Sequence, residues 1–202
     1  IKSTLDQGNI EVFGMTSGYD IDSDNPTEGH SAWINYALQN NPNIIIFIAI
    51  GSFDFPNGDS NGTRPDWDTF ASDNGFNSIQ EFYDYYINEV IHKEIVDKLR
   101  DEFPSTKIFS IPTGWATKNL AQMKIDNELL DDISMFGPKS SSVFTDEKGH
   151  QGQIVIETGT MIWLSSIYNM DLSSFNYDIG FITDLHAIAQ DIIDRHDSNY
   201  KQ

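Results

Sequence analysis

The residues best suited to chemistry lie in the segment 144–150, where Asp146 and Glu147 shortly precede His150. Histidine is the side chain that most readily accepts and returns a proton near neutral pH. A carboxylate bonded to its second ring nitrogen fixes the tautomer and stabilises the imidazolium, as in the catalytic triads of hydrolases. The spacing lets the acid and the histidine share one turn. It predicts an oriented general base at His150 or, as the alternative, a histidine that caps a helix at the surface.

Alternating strand-like and helix-like segments must position these residues. Ile44 to Ile50 is continuously apolar, which is typical of a central parallel strand covered by helices on both faces. From Ser78 to Phe103 apolar residues recur at helical spacing until Pro104 ends the pattern. The alternation predicts an α/β fold with a parallel sheet in one domain spanning 1–202. The predicted strands are 9–14, 44–50 and 107–112, and the predicted helices are 33–38, 78–103, 116–130, 154–168 and 182–196, with a long surface excursion over 55–77.

Composition excludes several classes of function. The formal net charge of −19, from 31 acidic and 12 basic side chains, repels nucleic-acid phosphates and argues against nucleic acid as a partner. The longest apolar run has seven residues, so no membrane span is expected. Because cysteine is absent, disulfides and thiolate zinc sites are excluded. The acidic, cysteine-free composition suits an extracellular or periplasmic protein, which is the predicted location. The oligomeric state does not follow from the sequence.

Several polar or flexible residues follow the predicted strands. Gly14 ends the first strand, 51–54 follows the second, and 112–114 follows the third. In open parallel sheets, ligands bind beyond the carboxyl ends of the strands. The sequence therefore predicts a site at this edge of the sheet, together with His150.

The order of these predicted strands, the turns after them and the acid–histidine segment resembles that of the SGNH (GDSL-type) hydrolase family, which has a flavodoxin-like three-layer α/β fold. Gly14 in Phe13-Gly14-Met15-Thr16 is similar to the glycine after the second strand of the family. Gly51-Ser52-Phe53-Asp54 is similar to the turn after its third strand, and Asp146 to His150 is similar to its acid–histidine segment. The resemblance implies a serine ester hydrolase acting on a small-molecule or carbohydrate ester, with an acetylated carbohydrate as one such substrate, and with neither a cofactor nor a metal.

The resemblance also implies a role for each matching residue. His150 is the general base and then the general acid, oriented by Asp146 or Glu147, and Asp146 is favoured because it follows a strand-like stretch. The implied oxyanion or substrate-binding residues are Gly14, Gly51, Ser52 and Asp54.

The chain departs from the family pattern in three respects. A Gly-Asp-Ser turn is missing, so the first strand and its serine are expected upstream of Ile1. Phe53 stands where the family has an asparagine, and a phenyl ring cannot donate a hydrogen bond to an oxyanion. Asp146 precedes His150 by four positions, and Glu147 precedes it by the three that the family uses. The competing hypothesis is therefore a non-catalytic SGNH-like module that binds a ligand or partner.

Several other residues are further functional candidates. Ser52 and Ser17 are alternative nucleophiles. A turn role is favoured for Ser52, and the segment from Ser17 to Gly51 is too short for the helices and strands that the family places there. Trp67 and Trp115 are candidates for stacking on a sugar, against core packing as the alternative. The segment 20–28 alternates carboxylates and suggests either a solvated loop or a calcium site outside the EF-hand class, which would make the chain a calcium-stabilised structural domain. The remaining histidines, at positions 30, 92, 186 and 196, are predicted to lie at the surface or at helix ends.

Overall fold

The computed structural model describes residues 1–18, 24–51, 66–146, 149–177 and 179–202, and it confirms the α/β class. The helices are α1 (Lys2–Leu5), α2 (Glu28–Asn40), α3 (Trp67–Asp73), α4 (Ile79–Tyr85), α5 (Lys98–Glu102), α6 (Gly114–Ile125), α7 (Gln153–Tyr168) and α8 (Leu185–Arg195), with a π-helical segment at Tyr86–Asp97 and 3₁₀ turns at Lys139–Ser141, Leu172–Ser174 and Ser198–Tyr200. The strands are β1 (Val12–Thr16), β2 (Ile45–Ala49), β3 (Ile108–Ile111), β4 (Ser134–Phe136) and β5 (Ser142–Phe144).

The chain divides into two compact units. Unit 1 comprises Ile1–Ile50, Tyr83–Ile111 and Asp197–Gln202, and unit 2 comprises Gly51–Phe82 and Pro112–His196. That the whole of 1–202 behaves as a single domain stays a prediction.

Unit 1 is built on a three-stranded parallel sheet in the order β1–β2–β3. Gly14 lies opposite Phe47 in the first register, and Phe47 lies opposite Phe109 in the second. Ile46 and Ile48 on the central strand are fully buried, in agreement with the apolar run that predicted this strand. Because β1 and β2 are direct neighbours, a further strand could join this sheet only at an outer edge, and not between them.

A long helix runs without a break from Ile79 to Glu102, and its centre is π-helical. Its buried side chains recur at intervals of four residues, at Ile87, Ile91, Ile95 and Leu99. An interval of four exceeds the 3.6 residues of an α-helical turn, so the wider π turn helps to keep these side chains on one side. The helix predicted over 78–103 is confirmed, whereas its π-helical centre was not predicted.

The C-terminal residues of unit 1 are held by a partly buried polar cluster. The His92 ring is 1% exposed and stacks on Tyr200, with ring centroids 3.6 Å apart, while its Nε2 lies 3.0 Å from the Ser110 hydroxyl. Tyr200 donates a hydrogen bond of 2.8 Å to Asp97, and the Arg100 guanidinium lies 5.1 Å from the Tyr200 ring. The prediction that His92 lies at the surface or at a helix end was therefore wrong, because a tyrosine distant in sequence covers its ring.

Replacing Tyr200 by Phe is expected to change the alkaline stability of the protein. Burial, and after it the hydrogen bond and the charge of Asp97, raise the pKa of Tyr200 to about 12. An unfolded tyrosine has a pKa of about 10. The stabilisation of the folded protein by the protonated Tyr200 hydroxyl is therefore fully present below pH ~10 and is lost as the pH rises towards ~12. The free energy of unfolding of wild type should therefore fall towards that of Tyr200→Phe over this range.

Urea unfolding at a series of pH values measures this difference. Tyr168→Phe is the matched control because its ring is 70% exposed, and it should track wild type throughout. A gap between wild type and Tyr200→Phe that is constant from pH 9 to pH ~12 would contradict the expectation.

Unit 2 surrounds a two-stranded parallel pair with helices. Ser134 pairs with Ser142, and Phe136 pairs with Phe144. A short segment with one 3₁₀ turn joins β4 to β5, whereas parallel strands are usually joined by a dozen or more residues. Helices α6 and α7 pack on β5, and α8 packs on α7. Across the described ranges, no helix combines the length and the apolar character needed to cross a membrane.

Candidate active site

A tight loop returns the chain from β5 towards α7 and carries the acid and the histidine. The Thr145 N–H donates to the His150 carbonyl at 2.7 Å, and Phe144 and Gln151 form an antiparallel bridge. Gly149 has a φ of 78°, in the left-handed region that glycine adopts without strain. The loop is therefore closed at its base by backbone hydrogen bonds, and this closure fixes the backbone of His150 beside the end of β5.

The structure brings Asp146 and His150 together. The Asp146 Oδ2 lies 2.5 Å from the His150 Nδ1, and the Asp146 Oδ1 accepts a hydrogen bond of 3.4 Å from the His150 N–H. With Nδ1 donating to the carboxylate, a neutral imidazole keeps its lone pair on Nε2, which is the tautomer that a general base requires. Glu147, the alternative acid, lies outside the described residues.

Both side chains of this pair are accessible. The His150 side chain is 67% exposed and that of Asp146 is 46% exposed. An exposed ion pair contributes little to folding stability, typically ~0–1 kcal/mol. The pair therefore does little for stability, and the His150 ring is accessible from solvent.

Gly152 allows the loop to pass close to β5. A Cβ at this position would lie 1.7 Å from the carbonyl oxygen of Ser142, which is a backbone atom. The Gly152 N–H donates to the Val143 carbonyl at 2.7 Å, so the close approach is part of the bonded structure. Sequence analysis did not identify this residue, because the need for glycine arises from a neighbouring strand.

Gly14 lies within β1, two residues before its end. The Ser17 N–H donates to the Ala49 carbonyl on β2, and the Glu11 carbonyl accepts from the Ile45 N–H. Because the backbone groups of alternate strand residues point to opposite sides, the Gly14 N–H points away from β2. On that side, no strand of the described residues pairs with β1.

The Phe47 ring gives a packing reason for glycine at position 14. A Cβ there would lie 1.9 Å from the ring, which is buried and in contact with Phe109. Gly14→Ala is therefore expected to lower the free energy of unfolding by about 2 kcal/mol, the usual cost of overpacking a core. Thermal unfolding measures the loss. Phe47→Leu should recover part of it in the double variant, and strictly additive losses would show that the ring is not the obstacle.

The other predicted site residues are less informative. Gly51 is exposed, and Ser52, Phe53 and Asp54 lie outside the described residues. Ser17 is buried at the end of β1. Part of the predicted calcium loop, 20–23, is also outside the described residues, and among the described residues no group of three or more potential metal-ligating side chains occurs.

The tryptophans proposed for sugar stacking differ in their surroundings. Trp67 is buried at 5% exposure and lines a cavity, whereas Trp115 is half-buried with the Lys118 ammonium 5.9 Å from its ring. Neither position by itself distinguishes core packing from ligand contact.

Comparison with known proteins adds nothing to the site residues described above. No protein-family model matches the chain, and neither a curated protein nor a solved structure is similar to it.

Proposed function

We propose that the chain belongs to a serine ester hydrolase of the SGNH type, in which His150 is the general base and Asp146 orients it. The hydrogen bond of 2.5 Å between the Asp146 carboxylate and the His150 Nδ1 is the observation that carries this proposal. The parallel sheet β1–β2–β3 supports the α/β class, and the flavodoxin-like three-layer fold is part of the proposal. In the flavodoxin-like order the first strand lies between the second and the third, whereas β1 and β2 pair directly, so the proposed serine strand departs from that order.

The chemistry follows from the tautomer of His150. A serine hydroxyl gives its proton to the His150 Nε2 as its oxygen attacks the ester carbonyl. The imidazolium, stabilised by Asp146, then returns the proton to the departing alcohol, which leaves an acyl-enzyme. Water then attacks the carbonyl carbon of the acyl-enzyme while His150 accepts its proton. The bond to the serine oxygen breaks, the carboxylic acid leaves, and His150 returns the proton to the serine. The serine is expected upstream of Ile1, as the family resemblance implies.

Oxyanion stabilisation is assigned by resemblance to the Gly14 amide. Since its N–H points away from β2, the ladder between β1 and β2 does not use it. The proposed substrate is a small-molecule or carbohydrate ester, and the proposed location is extracellular or periplasmic, in keeping with the acidic composition.

A non-catalytic binding module is the second candidate. The phenylalanine at position 53, where the family has asparagine, favours it because this side chain cannot donate to an oxyanion. The accessible Asp146–His150 pair favours the enzyme, because a binding module has no need of an oriented base.

Hydrolysis of p-nitrophenyl acetate and p-nitrophenyl butyrate by the product of the complete reading frame distinguishes the two candidates. The hydrolase predicts turnover that saturates with ester concentration and exceeds the rate in buffer. A folded protein that leaves the rate of both esters at the buffer value would support the binding module and contradict the hydrolase.

A further inference from the structure

A concave site lies in unit 2, between the helices α3, α4 and α6. It is a cavity of about 330 Å³ whose apolar wall includes Trp67 and Ile79, both buried. Ligand pockets of proteins run from ~300 to ~1,000 Å³, so the volume of this cavity, at the low end of that range, suits one small ring.

One face of α6 supplies much of the polar lining. Lys118, Gln122 and Ile125 all line the cavity, and their spacing of four and then three residues places them on the same side of the helix. Gln80 lines it from α4, and Ser78 lies just before that helix. The cavity is therefore built from side chains on regular elements, which hold their positions more precisely than loops.

Lys118 is held in place from two directions. Its ammonium donates a hydrogen bond of 2.6 Å to the Gln80 side-chain oxygen and lies 5.9 Å from the Trp115 ring. A lysine fixed in this way loses less conformational entropy when it bonds to a ligand. This arrangement is typical of a preorganised hydrogen-bond donor to a bound ligand.

The chemistry of the lining selects a class of ligand. Asp68 and Lys118 carry opposite charges, so the cavity does not favour a charged ligand of either sign. Ser78, Gln80 and Gln122 can each donate and accept, as a sugar hydroxyl can, and the Gln122 amide also donates to Asp126. The small accessible edges of Trp67 and Ile79, which are 5% and 7% exposed, supply apolar contact for ring C–H groups. We propose that this cavity binds a single neutral sugar ring.

This site stands independently of the ester hydrolase. Its residues do not include Asp146 or His150, and binding requires no turnover. A negative result in either test therefore leaves the other unaffected.

The proposal is tested by titrating the full chain, labelled with ¹⁵N, with methyl glycosides of glucose, galactose, mannose and xylose. The side-chain amide signals of Gln80 and Gln122 and the indole N–H of Trp67 should shift saturably with at least one of them. Three results would overturn the proposal. The first is unchanged signals at ~50 mM glycoside, a concentration that half fills a site with a binding free energy of only about −1.8 kcal/mol. The others are shifts confined to other residues and equal shifts with glycine or sodium acetate.

A matched pair of lysine variants on α6 tests the lining directly. Lys118→Met should weaken glycoside binding about tenfold, which corresponds to about 1.4 kcal/mol. Lys124→Met makes the same change outside the cavity lining and should leave the affinity unchanged. Equal affinities in the two variants would contradict the assignment of Lys118, and the ¹⁵N spectra show whether each variant is folded.

Discussion

His150→Ala is expected to lower kcat/KM for nitrophenyl ester hydrolysis by about 10⁴- to 10⁶-fold. The magnitude follows from serine hydrolases in which the base is removed and only binding and oxyanion stabilisation remain. The structure supports it because the Asp146 carboxylate holds the ring in the tautomer that leaves Nε2 to accept the proton. Steady-state kinetics with p-nitrophenyl acetate measures the effect, and KM should change much less than kcat.

Two further variants distinguish a loss of His150 orientation from a general effect of substitution in unit 2. Asp146→Asn should cost about 10⁴-fold in kcat, because an amide can donate to Nδ1 and so stabilise the wrong tautomer. His186→Ala removes another imidazole of unit 2 and should retain wild-type activity. A His150→Ala variant that keeps more than about a tenth of the wild-type kcat would show that His150 is not the base.

Gly152→Ala is expected to lower the free energy of unfolding by ~3 kcal/mol or more. The added Cβ would lie 1.7 Å from the Ser142 carbonyl oxygen, and a backbone atom paired in a strand cannot move aside as the end of a side chain can. The cost therefore falls at the upper end of the range for overpacked positions. For a chain of this size, the midpoint of thermal unfolding should fall by roughly 6–12 °C.

The Gly152→Ala substitution should also reduce esterase activity in the protein that remains folded. If α7 moves away from β5, the loop that carries Asp146 and His150 moves with it, because the Gly152 N–H is bonded to Val143. Gly29→Ala is the control, since a Cβ there meets nothing within 4 Å and the residue lies in α2. That variant should remain within ~1 kcal/mol of wild type. Equal stability of the two variants would contradict the packing account.

The parts of the fold that follow from local patterns were predictable. The run Ile44 to Ile50 predicted β2 because burial on both faces leaves no polar positions, and the helix predicted over 154–168 corresponds to α7. The strand β4 was not predicted, and β5 was recognised only as a strand-like stretch before Asp146, since a strand of three residues has too few positions to show alternation.

The functional candidates likewise divide into those with a local sequence signal and those that depend on tertiary contacts. Asp146 and His150 are four positions apart, so their proximity can be inferred from spacing alone. The cavity lining comes from three separate helices, and the burial of His92 depends on a residue near the end of the chain, so neither leaves a local signal. Such positions depend on tertiary packing, which one sequence does not reveal.

The most direct test is labelling of the complete reading-frame product with a fluorophosphonate probe, followed by location of the adduct by mass spectrometry. The account predicts an adduct on one serine, upstream of Ile1, that is lost in His150→Ala. An adduct on Ser17 or Ser52 with the same dependence on His150 would keep the hydrolase and place the nucleophile within this chain. Folded protein that forms no adduct, or an adduct that persists in His150→Ala, would contradict the proposal that Asp146 and His150 activate a serine.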